Sequence, residues 1–314
     1  MCIYKQKGKI HMRLSVKDIE KSFAAKHVLK GVNFEAESGR ALGLLGRNGA
    51  GKTTIIRIIM GVFPPDAGEI SIDGMKVTQS GRTFGYLPEE RGLYPKQIIL
   101  NQIIYIGMLR GMNRHDAKQS ALRWLGRVGM TEYADKKLNT LSKGNQQKIQ
   151  LAATLVNDPD IIILDEPFSG LDPVNAQMLK DIVGELIDSG RIVLFSSHQM
   201  GYVEQFCDSI AMLNQGKIVL SGNLKEIKRG YDRSRVLVCA DVPDIKERLS
   251  QLNLRDIAES VESEESGEAV IKLKDAADRD KLLRRLIDSG MNLDKYEILE
   301  PTLEEIFVEK AGEE

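Results

Sequence analysis

The nine residues GRNGAGKTT at positions 46–54 follow directly on the apolar run ALGLL at 41–45. A short apolar run ending in glycine reads as a buried strand entering a tight turn. From Lys52 the apolar spacing becomes helical, and Gly61, Pro64 and Pro65 stop it. G-x-x-x-x-G-K-T is therefore matched by Gly46, Gly51, Lys52 and Thr53 in the setting its chemistry requires, between a strand and a helix. Glycines let the backbone N–H groups of Arg47, Asn48, Gly49 and Ala50 close around phosphates, and the helix dipole adds to their pull. Lys52 neutralises β/γ charge, the Thr53 hydroxyl ligates Mg²⁺, and Thr54 donates to the α-phosphate. A nucleotide-binding α/β sheet is the expected frame.

A second strand carries the complementary groups. IIILDEP at 161–167 is four apolar residues followed by two acids, which places Asp165 and Glu166 at the carboxyl end of a sheet, where such proteins bind ligands. Asp165 is the expected Mg²⁺ partner and Glu166 the expected general base. Further strands are read at 14–19, 32–36, 69–73, 83–87, 192–195, 209–213 and 217–220, with a helix over Pro173–Asp188. Between 95 and 157 the pattern turns helical, as for an insert in the core. LSKGNQQK at 141–148 reads as a helix start that presents N–H groups to an anion. Since the first loop already forms a complete phosphate cradle, a second one needs its own explanation.

After Gly230 the order is strand, helix, strand, strand, helix, strand, then a final helix from 302 to 309. This βαββαβ order predicts a ferredoxin-like domain, with the acidic EESG at 264–267 as a solvated hairpin turn. Charge marks the same boundary: residues 1–228 hold 30 Lys and Arg against 23 Asp and Glu, and 229–314 hold 14 against 22. A net charge of −1 gives no concentrated basic face for nucleic acid. Cys2, Cys207 and Cys239 share no metal-ligand spacing, and their odd number argues against a disulfide framework. The longest apolar stretch, 98–109, is too short for a membrane span and contains Asn101 and Gln102. With no apolar signal-peptide core at 1–12, the expected location is the cytoplasm.

Taken together, these motifs make residues 13–228 resemble the ATP-binding subunit of an ABC transporter. LSKGNQQK resembles the family signature LSGGQ, with Leu141, Ser142 and Gly144 in place and Lys143 and Asn145 as departures; Gln146 follows directly and is counted with the signature segment. Ser169, Gly170, Leu171 and Asp172 in SGLDP match the loop after the acidic strand. His198 in LFSSHQM matches the family's switch histidine at the γ-phosphate, and Phe23 matches the aromatic that stacks on adenine. One departure stands out: GYLPEERGLYP at 85–95 aligns with the loop that normally offers Gln to Mg²⁺ and the attacking water, and here the position is Glu89. A carboxylate can still ligate Mg²⁺ while adding negative charge beside the γ-phosphate. The plainer reading is that Glu89 or Glu90 pairs with Arg91. This loop, with PTLEEIF at 301–307, is similar to a bacterial subgroup that includes sodium-extrusion and drug-resistance exporters.

The resemblance implies an α/β P-loop NTPase core with an antiparallel β subdomain and a helical insert at about 95–157. A small α+β ferredoxin-like accessory domain at 229–314 follows. It also implies Mg²⁺ with ATP as substrate, a second copy of the chain whose ATP meets this chain's signature, and a separate membrane permease holding the subunit at the inner face of the membrane. Leu93, Tyr94, Ile98, Tyr105 and Met108 are expected to line the groove for that permease, although helical spacing reads Ile98 and Tyr105 equally well as core. Soluble relatives acting on nucleic acid or the ribosome carry tandem ATPase domains or coiled-coil or zinc insertions, and this sequence shows neither. A non-hydrolysing regulatory module is expected to lose the counterparts of Glu166 or His198, and both are present.

Overall fold

The computed structural model describes residues 11–312 apart from positions 25, 91, 170, 232, 243 and 263–266. The chain forms two compact units, one running to Asn223 and the other covering Leu224–Glu309. The first opens with a hairpin of β1 (Arg13–Phe23) and β2 (Lys26–Glu37), followed by β3 (Ala41–Leu45), α1 (Lys52–Ile59), β4 (Ala67–Ile72), β5 (Met75–Lys76) and β6 (Phe84–Leu87). Three helices follow: α2 (Ile99–Leu109), α3 (Arg114–Arg127) and α4 (Lys143–Leu155). The core then resumes with β7 (Ile161–Asp165), α5 (Pro173–Asp188), β8 (Ile192–Ser197), α6 (Met200–Phe206), β9 (Ser209–Asn214) and β10 (Lys217–Asn223).

Two sheets result. The first is antiparallel in the order β2-β1-β4-β5; the second has the order β10-β9-β3-β8-β7-β6 and is parallel except for β10. β3, β7 and β8 are buried along their whole length, as strands covered on both faces must be. The amphipathic helix α1 shares one core with both sheets. Its Ile55, Ile56 and Ile59 pack in the cluster that contains Leu14, Leu29 and Leu44. Burying that apolar face fixes the helix whose N-terminus bounds the phosphate loop.

β1 and β2 run further than the expected 14–19 and 32–36. The extra length is held by ladder pairing of exposed polar residues such as Glu20↔Lys30, and register shifts on either side of Ile19 break the alternation. α6 was not anticipated, because seven residues with a single buried member, Val203, give too little periodicity.

In the second unit, α7 (Leu224–Arg229) precedes β11 (Arg235–Ala240), α8 (Ile245–Gln251), β12 (Ala258–Glu262), β13 (Glu268–Leu273), α9 (Arg279–Asp288) and β14 (Leu293–Ile298), and α10 (Leu303–Gly312) closes the chain. The sheet order β12-β13-β11-β14, antiparallel throughout, is the split βαβ arrangement of a ferredoxin-like domain. Val236, Val238 and Ile271 on one sheet face pack with Leu282 and Leu286 of α9. The acidic turn expected at 264–267 falls outside the described residues except for Gly267.

Candidate functional site

The phosphate loop leaves β3 at Gly46 and enters α1 after Gly51. Gly46 has φ +152°, and a Cβ there would lie 2.3 Å from the Leu213 carbonyl oxygen; at Gly51, with φ +113°, it would lie 2.7 Å from Leu29 Cδ2. Glycine suits both positions, so the loop is shaped by the β9 backbone at Gly46 and by positive φ and the Leu29 side chain of β2 at Gly51. Lys52 is buried, and its Nζ donates to the Gly46 carbonyl at 2.6 Å, so the ammonium lies across the mouth of the loop. Thr53 and Thr54 follow in the first turn of α1, both partly exposed.

Asp165 and Glu166 stand at the end of β7, both buried. Ser196 Oγ donates to Asp165 Oδ1, and Tyr86 Oη donates to Oδ2 at 3.1 Å. Burial first and the Asp165 charge second push the Tyr86 phenol above its ordinary pKa, so it stays a donor throughout the physiological range. Glu166 has φ +49°, an uncommon region for a residue with a Cβ, and its N–H is held by the Ser196 carbonyl at 3.0 Å. Its Oε1 accepts the His198 backbone N–H at 2.9 Å, contacts the His198 ring Nδ1 at 2.8 Å and lies 3.7 Å from Lys52 Nζ. Ser197 Oγ donates to Oε2 at 3.2 Å. Lys52, Glu166 and His198, distant in sequence, thus converge on one carboxylate.

Glu89 lies exposed beyond the end of β6, in the segment 85–95. Its backbone is tied to α4: Thr154 Oγ1 donates to the Tyr86 carbonyl at 3.2 Å, and Gln150 Nε2 donates to those of Pro88 and Glu90 at 3.2 and 3.1 Å. Gly85 permits that approach, since a Cβ there would fall 2.9 Å from the Thr154 carbonyl oxygen. At the far end of α4, Arg110 Nη1 donates to the Thr154 carbonyl and the Asn157 side chain, each at 2.9 Å. The alternative pairing of Glu89 or Glu90 with Arg91 lies outside the described residues.

Ser142 is the N-cap of α4, its Oγ accepting from the Asn145 N–H at 3.4 Å, while Leu141 is buried beneath it and Lys143 opens the helix. Gly144 and Asn145 occupy the partly exposed first turn; Gln146 Nε2 donates to the Leu141 carbonyl at 2.9 Å, and Gln147 Nε2 to that of Pro167 at 2.7 Å. The bonds of this segment therefore hold the helix start in place beside the turn that follows Glu166. In that turn Ser169 N–H donates to the Glu166 carbonyl and Leu171 N–H to that of Phe168; Asp172 caps α5, and Gly170 lies outside the described residues. Phe168 stacks on Tyr202 and Phe206 of α6 at 4.7 and 4.5 Å and lies 5.9 Å from Phe195 of β8.

Phe23 is exposed at the end of β1, edge-on to Phe63 at 5.5 Å, so it is not a core residue. Of the expected groove residues, Tyr94, Tyr105 and Met108 are exposed, which removes the core reading of Tyr105. Leu93 is buried and cannot line a surface groove, because the loop folds it inward. Sequence reasoning overlooked Tyr86, Gln150, Ser196 and Ser197. The pair of serines before His198 was the one available signal, since hydroxyls at the end of a buried strand require acceptors. A cleft of about 560 Å³ lined by Ser15, Asn33, Arg40 and Ser221 contains no residue of this site.

Oxygen donors such as the Thr53 hydroxyl and the buried Asp165 carboxylate suit a hard cation, and the crowding at Gly46 and Gly51 suits a backbone cradle, so these residues fit Mg²⁺ with a nucleotide. Comparison with known proteins agrees. Residues 29–169 match the family described as ABC transporter, and residues 222–311 match that described as ATP-binding protein DrrA1-3-like, C-terminal domain. The chain is 39% identical over 303 residues to an uncharacterized ABC transporter ATP-binding protein, YhaQ, of Bacillus subtilis, covering 95% of this chain and 98% of that one. It is 31% identical over 310 residues to the linearmycin resistance ATP-binding protein LnrL of the same organism, covering 95% and 98%. A solved ATP-binding subunit of an ABC transporter superposes with a TM-score of 0.64 at 31% identity, covering 69% of this chain and 92% of that one. The chain therefore belongs to the ABC transporter ATP-binding subunits, a family of ATPases that hydrolyse ATP to drive transport.

Proposed function

We propose that this ATPase powers export through a separate membrane permease, with Glu166 as the general base. The observation that carries the catalytic assignment is the buried Glu166 carboxylate, which touches His198 and faces Lys52 beside the phosphate loop. In this reading Phe23 supports the adenine, residues 46–54 hold the phosphates, and Lys52 turns from the Gly46 carbonyl to the β/γ oxygens. Glu166 takes a proton from water as its oxygen attacks the γ-phosphorus, the bond to the β,γ-bridging oxygen breaks with ADP as the leaving group, and His198 contacts the γ-phosphate. Thr53 and Asp165, with Glu89 from its loop, would hold Mg²⁺, which supplies charge neutralisation on the β and γ oxygens when bound.

The exposed start of α4 gives the second cradle its use: residues 141–146 face the ATP held by another copy, with 169–172 alongside. Two copies then form two composite sites. The relatives named for linearmycin resistance and for Nod factor export favour export as the direction. Among the described residues no helix is long and apolar enough to cross a membrane, which fits a subunit held at the inner membrane face by its permease. Residues 13–228 act as the ATPase domain, and 229–314 as an accessory domain for dimer contact or regulation.

Glu166→Gln tests the assignment. It removes the base without altering the cradle, so ATP binding persists and an ATP-bound dimer accumulates on size exclusion while turnover is lost. Near-normal turnover in this variant sinks the assignment.

A further inference from the structure

We propose that Gln150, on the helix that begins at the signature, is a positioning residue for Glu89. The inference rests on the metal-side role of Glu89 given above. Gln150 is 8% exposed, and its carboxamide nitrogen donates to the carbonyls on either side of Glu89, at Pro88 and Glu90. A primary amide nitrogen carries two N–H groups, so both are spent on this one loop. Thr154, one helical turn on, takes the Tyr86 carbonyl. Residues four apart on a helix share a face, and beyond the end of β6 at Leu87 the chain bends, so that the carbonyls of Pro88 and Glu90 both turn to Gln150. One face of α4 therefore holds carbonyls 86, 88 and 90, and the intervening Glu89 lies on the exposed side.

The opposite edge of the same segment meets the acid strand, where the Tyr86 hydroxyl donates to Asp165. The loop thus lies between the Asp165 carboxylate and the signature helix, with a polar fastening to each. Any adjustment of Glu89 toward a cation is felt as a change at Pro88 and Glu90, and hence at Gln150. An ordinary loop at this position would need no buried amide from α4, because carbonyls of an exposed loop are satisfied by water.

The test uses the full chain and an ATP analogue with a β,γ-imido bridge, so that hydrolysis does not intervene. Analogue affinity is measured by calorimetry with Mg²⁺ and with EDTA, in wild type, Glu89→Ala, Gln150→Leu and the double variant. Amide exchange is followed across residues 86–92. Gln150→Leu is expected to speed exchange in that loop and to reduce the Mg²⁺-dependent gain in affinity roughly five-fold, the worth of a typical hydrogen bond. Affinity in EDTA should be unchanged, and the double variant should match Glu89→Ala. Gln150→Met, unbranched and without a donor, repeats the measurement if Leu disturbs folding. Unchanged loop exchange in both Gln150 variants overturns the proposal, as does an equal loss of Mg²⁺ gain with and without Glu89. A Glu89→Ala chain that keeps the full gain while Gln150→Leu still loosens the loop defeats the metal role of Glu89 and leaves the clamp standing.

Discussion

Lys52→Ala separates the two things this side chain does. In the structure Nζ is bonded to the Gly46 carbonyl at 2.6 Å and lies 3.7 Å from Glu166 Oε1. Against a bound phosphate it would make a charge-assisted hydrogen bond, worth about 1.5–3 kcal/mol. Removing it should weaken ATP binding roughly 10- to 150-fold by calorimetry. Its loss also leaves a buried carboxylate without its cation, which can cost about 3–5 kcal/mol when nothing else compensates. Glu166 keeps the His198 N–H and the Ser197 hydroxyl, and the lysine contact is longer than a hydrogen bond, so a cost of about 1–2 kcal/mol is more reasonable. For a unit of this size that lowers the melting temperature by about 2–8 °C. In a Glu166→Gln background no charge is abandoned, so the same substitution should cost about 1 kcal/mol less. Equal melting shifts in the two backgrounds refute the coupling of Lys52 to Glu166, and unchanged nucleotide affinity refutes its placement on the phosphates.

Damage at the signature should behave differently: Ser142→Ala is expected to spare ATP binding by the monomer and to abolish dimer-dependent hydrolysis. Loss of the N-cap should also lower stability by about 1 kcal/mol, read from a denaturant midpoint. Tyr86→Phe removes one of two hydroxyl donors to Asp165; the Mg²⁺ concentration for half-maximal ATPase should rise several-fold with little change at saturating metal. An unchanged metal curve means the phenol does not orient the carboxylate. In the second unit, two bonds from Arg285, at 2.6 and 2.5 Å, hold the Asp256 carboxyl at about 2, below its ordinary 3.8. The stabilisation is complete above 3.8 and is lost as pH falls through about 2. Asp256→Asn should therefore lower that unit's melting temperature at pH 7, and the difference should shrink as pH falls from 3.8 through about 2.

Elements with strict local grammar were legible from the sequence. Residues 46–54 and 161–166 announce strand ends because a fully apolar run stops at glycine or acid, and the structure places both there. The βαββαβ order was equally readable, since β11 and β13 at the centre of that sheet alternate buried and less buried residues. The clamp on Glu89 was not readable. A glutamine at position 150, next to a run of polar residues, looks like surface, and only its bonds to a loop at least 60 residues away in sequence, at Pro88 and Glu90, show it buried. Leu93 failed for the opposite reason: an apolar residue among exposed neighbours invited a groove assignment, and loop geometry, which leaves no periodic trace, buried it. The convergence of Lys52, Glu166 and His198 depends on the parallel neighbours β3, β8 and β7, and no single segment encodes that order.

The aromatic stack beneath the acids bears on timing. Phe168 follows Glu166 by two residues, and its partners Tyr202 and Phe206 belong to the helix entered just after His198. With the ring centroids 4.7 and 4.5 Å apart, the loop that carries the base and the segment that carries the histidine have little freedom to slide past each other. The two groups therefore advance and retreat as one body, and a half-armed site with the base in place but the histidine withdrawn is disfavoured. A displacement of either segment must be shared by the other or break the stack.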